Sequence, residues 1–271
     1  MSLLQAIVLG VLQGATEFLP ISSSGHLVLV PWLLGWAEPG LTFDAVMHWG
    51  TALAVIAYFW RDWWRLIVAG IRSITQRSLG DPDARLAWLI VLGTIPAVVL
   101  GLLFEDFFEQ MFSNPVATAA LLLVTAGILT GGEALSRRRR ELTDLTWRDG
   151  LIIGLAQALA ILPGISRSGS TISAGLVREV RREPAARFSF LLGTPAILGA
   201  GLLKLVDLAQ AGDLLAQAPI LLVGFGFSAA VGIACIHFLL RFLRRRPLYV
   251  FAVYCAIAGV FCLLVALVRG G

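Results

Sequence analysis

Several stretches of this chain are too long and too apolar to be ordinary core helices. Leu86–Leu103 and Leu248–Val268 contain no charged residue, and runs of about 18 or more apolar residues are typical of membrane-spanning helices. Over the whole chain 58% of the residues are hydrophobic and 14% are charged, whereas a soluble domain carries roughly a quarter charged residues. We therefore predict an all-α polytopic membrane protein.

The arginines predict which ends of the helices face the cytoplasm. The chain has 20 arginines and one lysine, and 18 of the arginines fall in clusters at residues 61–85, 137–148, 178–187 and 241–246. Basic loops that flank membrane spans lie on the cytoplasmic side. Nucleic-acid binding is the rival interpretation of basic runs, but these clusters alternate with apolar segments. We therefore predict no nucleic-acid partner.

Placing the four clusters on one side of the membrane divides the chain into spans and loops. The loop that carries Glu105, Asp106 and Glu109 has no basic residue and is expected to face outward. We predict one integral membrane domain, residues 1–271, with six transmembrane helices. Their approximate bounds are 43–60, 86–104, 115–135, 188–206, 219–240 and 248–268.

Two further segments are predicted to enter the membrane without crossing it. Residues 150–177 lie between two basic clusters and are too short for two spans of about 20 residues each. Their middle, Leu162–Thr171, is rich in helix-breaking residues. Residues 1–40 have a comparable break at Phe18–His26. We predict re-entrant helix hairpins, the first entering from outside and the second from the cytoplasm.

An internal repeat supports this topology. A shift of 144 residues places Gly10 on Gly154, Gln13 on Gln157, Ile21 on Ile165, Ser22 on Ser166, Ser24 on Ser168 and Gly25 on Gly169. The two copies, approximately 1–135 and 145–271, have opposite predicted orientations. Inverted repeats whose broken helices meet near the middle of the bilayer are a known way to build a polar site there.

One acid and one base remain inside the predicted membrane segments. Arg167 is the arginine that belongs neither to a cytoplasmic cluster nor to the C-terminal tail, and Glu17 is the acid well within a membrane segment. Such a charge costs about 2.5–3.5 kcal/mol at mid-bilayer on insertion scales. A structural salt bridge between Glu17 and Arg167 is one explanation, and a shared ligand is the other.

The residues around the two breaks favour an anionic ligand. Glycines allow backbone N–H groups to approach an anion, helix N-termini attract it, and arginine binds phosphate through two hydrogen bonds. Helix capping is the simpler role for serines in such breaks. The candidate ligand-binding residues are Gln13, Ser22, Ser24, Gly25, Ser166, Ser168, Gly169 and Thr171.

These segments resemble a known family. Residues 13–26 read QGATEFLPISSSGH and residues 163–171 read PGISRSGST. They are similar to the (E/Q)xxxE, SS(S/T)GH and PGxSRSxxT motifs of undecaprenyl-diphosphate phosphatases, the bacitracin-resistance family. Phe188–Leu192 and Gly93–Pro96 also resemble family segments. Gln13 stands where many relatives have glutamate, which argues against a carboxylate role at that position.

The resemblance implies hydrolysis of undecaprenyl diphosphate to undecaprenyl phosphate, which recycles the lipid carrier for peptidoglycan synthesis. It implies a multi-pass protein of the bacterial cytoplasmic membrane with an active site that opens to the outer face. It also implies a divalent cation, Mg²⁺ or Ca²⁺, which Glu17 could hold together with substrate phosphates and water. The expected partners are the lipid substrate and membrane lipids, and a homodimer is a further expectation.

The expected catalytic residues are Glu17, Ser23, His26 and Arg167. Arg167 would stabilise the transferring phosphoryl group, since phosphoryl transfer depends mainly on positioning and charge neutralisation. Ser23 is the first choice as nucleophile, with His26 or Glu17 as its base. Attack by water or by His26 itself is an open alternative.

Two histidines lie outside the motifs. His48 is expected to be a hydrogen-bonded interior residue, with a place near the site as the alternative, and His237 is expected to be structural.

Two rival functions remain for this sequence. A lipid flippase or transporter with the same inverted repeat is the first rival. The acid-phosphatase type of lipid phosphatase is the second, but Ser173 occupies the position where its histidine should follow Ser166 and Arg167.

Overall fold

The protein is built from helices along the whole part of the chain that the structure describes. The computed structural model describes residues 1–37, 39–211 and 214–269. The helices there are α1 (Leu3–Thr16), α2 (Ser23–Leu34), α3 (Leu41–Tyr58), α4 (Trp60–Gln76), α5 (Pro82–Leu103), α6 (Glu105–Phe112), α7 (Pro115–Leu135), α8 (Trp147–Leu159), α9 (Arg167–Val177), α10 (Arg182–Ala211), α11 (Leu214–Leu243) and α12 (Tyr249–Arg269). A short 3₁₀ helix, Leu142–Asp144, precedes α8.

Six of these helices are long and apolar enough to cross a membrane, as predicted. Within the described residues the spanning segments are Leu41–Tyr58, Pro82–Leu103, Pro115–Leu135, Arg182–Leu203, Gln217–Leu243 and Tyr249–Arg269. The predicted bounds differ by a few residues, most at the basic ends of α5 and α10. There the helices continue beyond their apolar stretches, because capping and packing rather than hydropathy decide where a helix ends.

The two predicted hairpins are helix–break–helix units. The pairs α1–α2 and α8–α9 have helices of 14, 12, 13 and 11 residues, which is too short to cross a bilayer that needs about 20 residues. Ser22 caps α2 by accepting a hydrogen bond from the Gly25 N–H, and Ser166 caps α9 by accepting one from the Gly169 N–H. The residue that begins α2 is therefore Ser23, and the residue that begins α9 is Arg167.

The first helix of each hairpin packs against a spanning helix from the other half of the chain. Helix α1 lies against α11, and α8 lies against α5. Both contacts are glycine-on-glycine: a Cβ at Gly10 would lie 2.5 Å from the Gly224 carbonyl oxygen, and one at Gly154 would lie 2.5 Å from the Gly93 carbonyl oxygen. Small residues let membrane helices approach closely. The two halves therefore interlock, and both breaks are brought into the interior.

The four basic clusters meet at one end of the helix bundle, as their assignment to one side of the membrane requires. Arg85 donates to the Thr143 carbonyl at 3.4 Å, which joins the first cluster to the second. Arg187 of the third cluster pairs with Asp62, within the first cluster, at 2.5 Å. Arg244 of the fourth cluster lies 3.6 Å from Glu183. We refer to this end as the basic end.

A buried carboxylate anchors the second hairpin at the basic end. Asp149, in the first turn of α8, binds Arg140 at 2.7 Å and Arg178 at 2.6 Å. Burial opposes ionisation of this carboxyl, but the hydrogen bonds from Arg140, Arg178 and Thr146 outweigh that effect and lower its pKa below the ordinary value. This ion cluster ties α8, α9 and the preceding loop together.

The first basic cluster is not only a loop, contrary to the sequence-based interpretation. It contains α4, a 17-residue helix. One face packs on α5, where the Trp88 indole N–H donates to the Ser73 hydroxyl at 2.9 Å. The other face exposes large apolar side chains, which are Trp60, Trp64, Ile67, Ile71 and Ile74. A helix with arginines on one side and tryptophan and isoleucine on the other is typical of the membrane–water interface.

Candidate active site

The two breaks touch, and their charged residues form an ion pair inside the protein. The Arg167 guanidinium donates from Nη2 to Glu17 Oε1 at 2.9 Å and from Nε to the same oxygen at 3.2 Å. The side chains of Glu17 and Arg167 are 3% and 15% exposed. The breaks are also joined by the Gly164 N–H, which donates to Ser22 Oγ at 3.2 Å. The predicted contact between the two hairpins is therefore present.

Three further polar groups contact the second carboxylate oxygen of Glu17. Gln13 donates from Nε2 at 2.9 Å, the Ser23 hydroxyl donates at 2.5 Å, and His48 Nε2 lies 3.4 Å away. Gln13 and Glu17 share one face of α1 because they are four residues apart. Glu17 thus lies at the centre of the site, and each of its two carboxylate oxygens contacts its own set of polar groups.

The Ser23 hydroxyl is the one predicted nucleophile that contacts a carboxylate in the described structure. Its hydroxyl already points its proton at the Glu17 carboxylate, which can accept that proton during attack. Ser23 also begins α2, where unpaired backbone N–H groups favour negative charge on a nearby oxygen. The described hydrogen bond therefore favours Glu17 over His26 as the base for Ser23.

His26 is held by partners other than Ser23. Its Nδ1 lies 2.7 Å from the Ser22 carbonyl oxygen, and its Nε2 lies 2.8 Å from the Tyr254 hydroxyl. The two rings are stacked, with centroids 5.7 Å apart and planes at 14°. The spacing of three residues between Ser23 and His26 predicted that both would lie on one helix face. In the structure the imidazole forms its hydrogen bonds with the break and with α12.

Arg167 is fixed on its far side by α10. Its Nη1 donates to the Ser189 carbonyl oxygen at 3.3 Å. Thr171, one turn along α9, shares a hydrogen bond of 2.6 Å with the Ser189 hydroxyl and also donates to the Arg167 carbonyl at 2.7 Å. Thr171 therefore supports the position of Arg167 and Ser189 in this structure.

Most of the serines that were predicted to bind phosphate form hydrogen bonds within the two breaks. Ser22 and Ser166 act as helix caps, as the simpler alternative proposed, and each accepts from a backbone N–H. Their own hydroxyl protons remain available to a neighbour: Ser24 lies 3.4 Å from Ser22, and Ser168 lies 3.3 Å from Ser166. Gly25 and Gly169 contribute backbone N–H groups to the caps. Capping and donation to a phosphate oxygen are compatible for a hydroxyl, which can accept and donate together.

The structure places His48 beside Glu17, which is where the alternative interpretation of this residue put it. It is also hydrogen-bonded, because its Nδ1 lies 2.7 Å from the Asp44 carbonyl oxygen. His237 lies elsewhere, 3.0 Å from the Tyr58 hydroxyl near the basic end, in agreement with a structural role. Ser189 and Tyr254 were not assigned to the site because they come from helices far away in sequence.

The described residues contain no group of three or more histidine, cysteine, aspartate or glutamate side chains arranged to hold a metal ion. A divalent ion shared with the substrate is compatible with the oxygen ligands present. Glu17 supplies a carboxylate, and Oε1 of the fully buried Gln13 has no hydrogen-bond partner among the described residues. Mg²⁺ commonly uses one or two protein oxygens plus phosphates and water.

A groove lies at the end of the helix bundle opposite the basic end, and some of its wall residues neighbour the site in sequence. It has a volume of about 560 Å³ and lies between α2, α3 and α6. Leu27 and Val28 in its wall directly follow His26, and Asp44 in its wall binds His48 through its backbone. The groove is lined by both aromatic and polar side chains, which include Trp32, Trp36, Asp44, Gln110 and Phe112.

Comparison with known proteins gives one consistent result. A family model described as bacitracin resistance protein BacA matches residues 6–261. An undecaprenyl-diphosphatase of Desulforudis audaxviator is 44% identical over 98% of both chains. The undecaprenyl-diphosphatases of Thermomicrobium roseum and Moorella thermoacetica are 45% and 46% identical, over 98% and 94% of both chains. The similarity therefore includes both breaks and all six spans.

Proposed function

Because the chain belongs to the bacitracin resistance protein BacA family, we propose that it is an undecaprenyl-diphosphate phosphatase with Glu17, Ser23 and Arg167 at the reacting centre. It hydrolyses the terminal phosphate of undecaprenyl diphosphate and releases undecaprenyl phosphate and inorganic phosphate. This reaction recycles the lipid carrier for peptidoglycan synthesis and accounts for the bacitracin resistance named in the family's description. The observation that carries the active-site assignment is the junction of the Ser23 hydroxyl, the Glu17 carboxylate and the Arg167 guanidinium.

In the first step Ser23 Oγ attacks the terminal phosphorus. The Ser23 proton passes to Glu17 Oε2, which it already contacts at 2.5 Å. The bond between the terminal phosphorus and the bridging oxygen breaks, and undecaprenyl phosphate leaves with the electron pair. The leaving group is a phosphate monoester, which is stable as an anion at neutral pH and needs little help from an acid.

In the second step water attacks the phosphoserine phosphorus. One water proton goes to His26 Nε2, and the bond from phosphorus to Ser23 Oγ breaks as Glu17 returns its proton to the serine oxygen. Inorganic phosphate leaves and carries away the proton held by His26. The direct route, in which Glu17 deprotonates a water that attacks the diphosphate, is distinguished from this one by the serine variant described below.

Arg167 and Glu17 have complementary roles at the phosphoryl group. The guanidinium has five N–H donors, of which two bind Glu17 and one binds Ser189 in this structure. The remaining donors can bind the equatorial oxygens of the transferring group, where charge is spread in the transition state. The salt bridge and the ligand-binding role are therefore compatible, since Glu17 orients the cation without consuming all of its donors.

A divalent ion, if bound, would be held by Glu17 and Gln13 together with the diphosphate. It would supply positive charge to the phosphate oxygens and so assist Arg167. Chelation tests this part of the proposal: phosphate release should fall on addition of EDTA and return on addition of Mg²⁺ or Ca²⁺. Full activity in EDTA after extensive dialysis would contradict it.

We propose that the protein resides in the bacterial cytoplasmic membrane with the groove on its outer face. The basic end would face the cytoplasm under the positive-inside rule, and the groove lies at the opposite end. The polyprenyl tail would remain in lipid while the diphosphate reaches the breaks. Homodimer formation is a further proposal, which mass measurement of the purified protein in detergent would test.

Phosphate release by the purified protein is the direct test of the function. Wild type should release phosphate from farnesyl or undecaprenyl diphosphate, and Glu17→Ala, Ser23→Ala, His26→Ala and Arg167→Ala should lose activity. We expect losses of about 10²–10³-fold or more for Glu17, Ser23 and Arg167, the range measured when a group that stabilises a transition state is removed. Ser78→Ala is the matched serine control, because Ser78 is exposed near the basic end.

The activities of these variants distinguish between the alternative mechanisms and between a phosphatase and a flippase. Full activity of Ser23→Ala would contradict the serine nucleophile and favour direct attack by water. Full activity of Arg167→Ala would contradict the whole site assignment. A wild-type protein that moves the lipid across vesicles but releases no phosphate would identify a flippase rather than a phosphatase.

A further inference from the structure

Tyr254 joins the active-site histidine to the last helix of the protein. Its hydroxyl lies 2.8 Å from His26 Nε2, and its ring stacks on the imidazole. Its neighbours along the exposed face of α12 are apolar, among them Val250, Val253 and Ile257. Tyr254 is 44% exposed, so its ring lies at the boundary between the lipid-facing surface and the site.

The partner of Nδ1 determines the tautomer of His26. The atom 2.7 Å from Nδ1 is the Ser22 carbonyl oxygen, and a carbonyl oxygen can only accept a hydrogen bond. Nδ1 therefore carries a proton, and in the neutral imidazole Nε2 has the lone pair. The Tyr254 hydroxyl donates to that lone pair. Every proton that His26 gains or loses during a reaction must then pass through Nε2.

A hydroxyl is suited to both protonation states of the ring. It donates to Nε2 when the imidazole is neutral, and it accepts from Nε2–H when the imidazole is charged. A residue that could only donate would lose its bond when His26 takes up a proton. With Tyr254 in place the ring can remain in one orientation throughout the proton cycle.

We propose that Tyr254 is a positioning residue for the phosphatase reaction. It fixes the orientation of the His26 ring in the tautomer that the Ser22 carbonyl sets. Its hydroxyl gives up the lone pair of Nε2 to the water that attacks phosphorus, Nε2 takes the proton of that water, and the hydroxyl then accepts from Nε2–H until the proton is returned. The assignment rests on the proposed function for its catalytic meaning, whereas the hydrogen bond to Nε2 can be measured without any reaction.

Tyr254→Phe isolates the hydroxyl because phenylalanine retains the stacked ring. We expect kcat to fall about tenfold, the effect of losing one hydrogen bond, while KM changes less than about twofold. Tyr249→Phe is the matched control, since Tyr249 is similarly exposed on α12. In a His26→Gln background the Tyr254→Phe change should have less than a twofold effect, because the residue it acts through is absent.

Nitrogen NMR of protein labelled with ¹⁵N-histidine provides a readout that does not depend on activity. The chain has three histidines, so His26 can be assigned with His26→Gln. Wild type, Tyr249→Phe and Tyr254→Phe should all show the Nδ1–H tautomer that the Ser22 carbonyl sets, and only Tyr254→Phe should shift the resonance of the unprotonated Nε2, because its lone pair loses a hydrogen-bond donor. An unchanged Nε2 resonance in Tyr254→Phe, or an equal loss of kcat in both backgrounds, would overturn the proposal. If wild type releases no phosphate, the proposed function fails, and the NMR result still decides whether Tyr254 orients the ring.

Discussion

The guanidinium of Arg167 lies where a side chain would begin at Gly193. A Cβ built on Gly193 would be only 1.2 Å from Arg167 Nη1. Gly193 lies within α10, one turn beyond Ser189, whose carbonyl oxygen accepts from the same nitrogen. Any larger side chain at Gly193 would therefore overlap the Arg167 guanidinium. The guanidinium lies in a slot on the surface of α10, the space left by the missing side chain.

Gly193→Ala should displace Arg167 and lower phosphate release by about 10²-fold, the effect of a misplacement of about 1 Å at a reacting centre. The variant should still fold, since alanine favours a helix more than glycine does. Gly199→Ala is the control on the same helix, because a Cβ there meets nothing within 4 Å. Wild-type kinetics in Gly193→Ala would contradict the slot.

Arg167→Lys should be almost as inactive as Arg167→Ala, with a loss of about 10²-fold or more. Lysine retains the charge, but its ammonium group cannot reproduce the planar set of donors that binds Glu17 twice and Ser189 once. Steady-state phosphate release measures the effect. Arg72→Lys, an exchange at an exposed arginine of α4, should have no effect. Recovery of more than half of the wild-type rate by lysine would show that charge alone is sufficient.

The Asp149 cluster should contribute stability that depends on pH. The pKa of this carboxyl is lower in the folded protein than in the unfolded chain, so ionisation stabilises the fold above the unfolded value of about 4. That contribution is lost as the pH falls below about 4 and toward the folded pKa. Wild type should therefore melt well above Asp149→Asn at pH 7, and the difference in Tm should shrink as the pH approaches 3.

The control for this prediction is Asp83→Asn. Asp83 is more exposed, and its described ionic contact is Arg65 at 3.9 Å. Exposed pairs of this kind contribute little to stability. A difference in Tm between wild type and Asp149→Asn that stays constant from pH 7 to pH 3 would exclude the carboxylate as its source.

Helix α4 should contact lipid acyl chains through its tryptophans. Trp60 and Trp64 are 59% and 69% exposed in the protein, and an interfacial helix buries such a face in the membrane. In vesicles of brominated phospholipid, a Trp60→Phe and Trp64→Phe double variant should show clearly less fluorescence quenching than wild type. Trp49→Phe should not, since the Trp49 indole donates to the Leu198 carbonyl inside the protein. Equal quenching in all three would place this face in water.

The architecture of this protein was predictable because lipid imposes simple requirements on a sequence. Apolar length and arginine position identified the six spans, and the two helix-breaking motifs identified the hairpins. Helix α4 was missed because its apolar residues recur with helical spacing among arginines, so it has no continuous apolar run. A search for helical periodicity within the cluster would have found it.

The centre of the site was predictable for a different reason. A charge inside a membrane needs a partner, and Glu17 and Arg167 lie apart from the other charged residues, inside predicted membrane segments. His48 and Tyr254 carry no such signal, since both are tolerated inside helices and their partners depend on which helices pack together. The interpretation of His26 as a partner of Ser23 relied on local spacing, whereas the structure directs its ring to Tyr254 on α12.

Ser23 and Arg167 each occupy the first position of a helix after a capping serine, and they are 144 residues apart in a chain whose breaks repeat at that distance. Two identical halves would place two hydroxyls or two guanidinium groups at this junction. Neither pair could combine an attacking oxygen with a cation that receives the phosphoryl charge. Divergence between the copies at this position is therefore a chemical requirement for turnover.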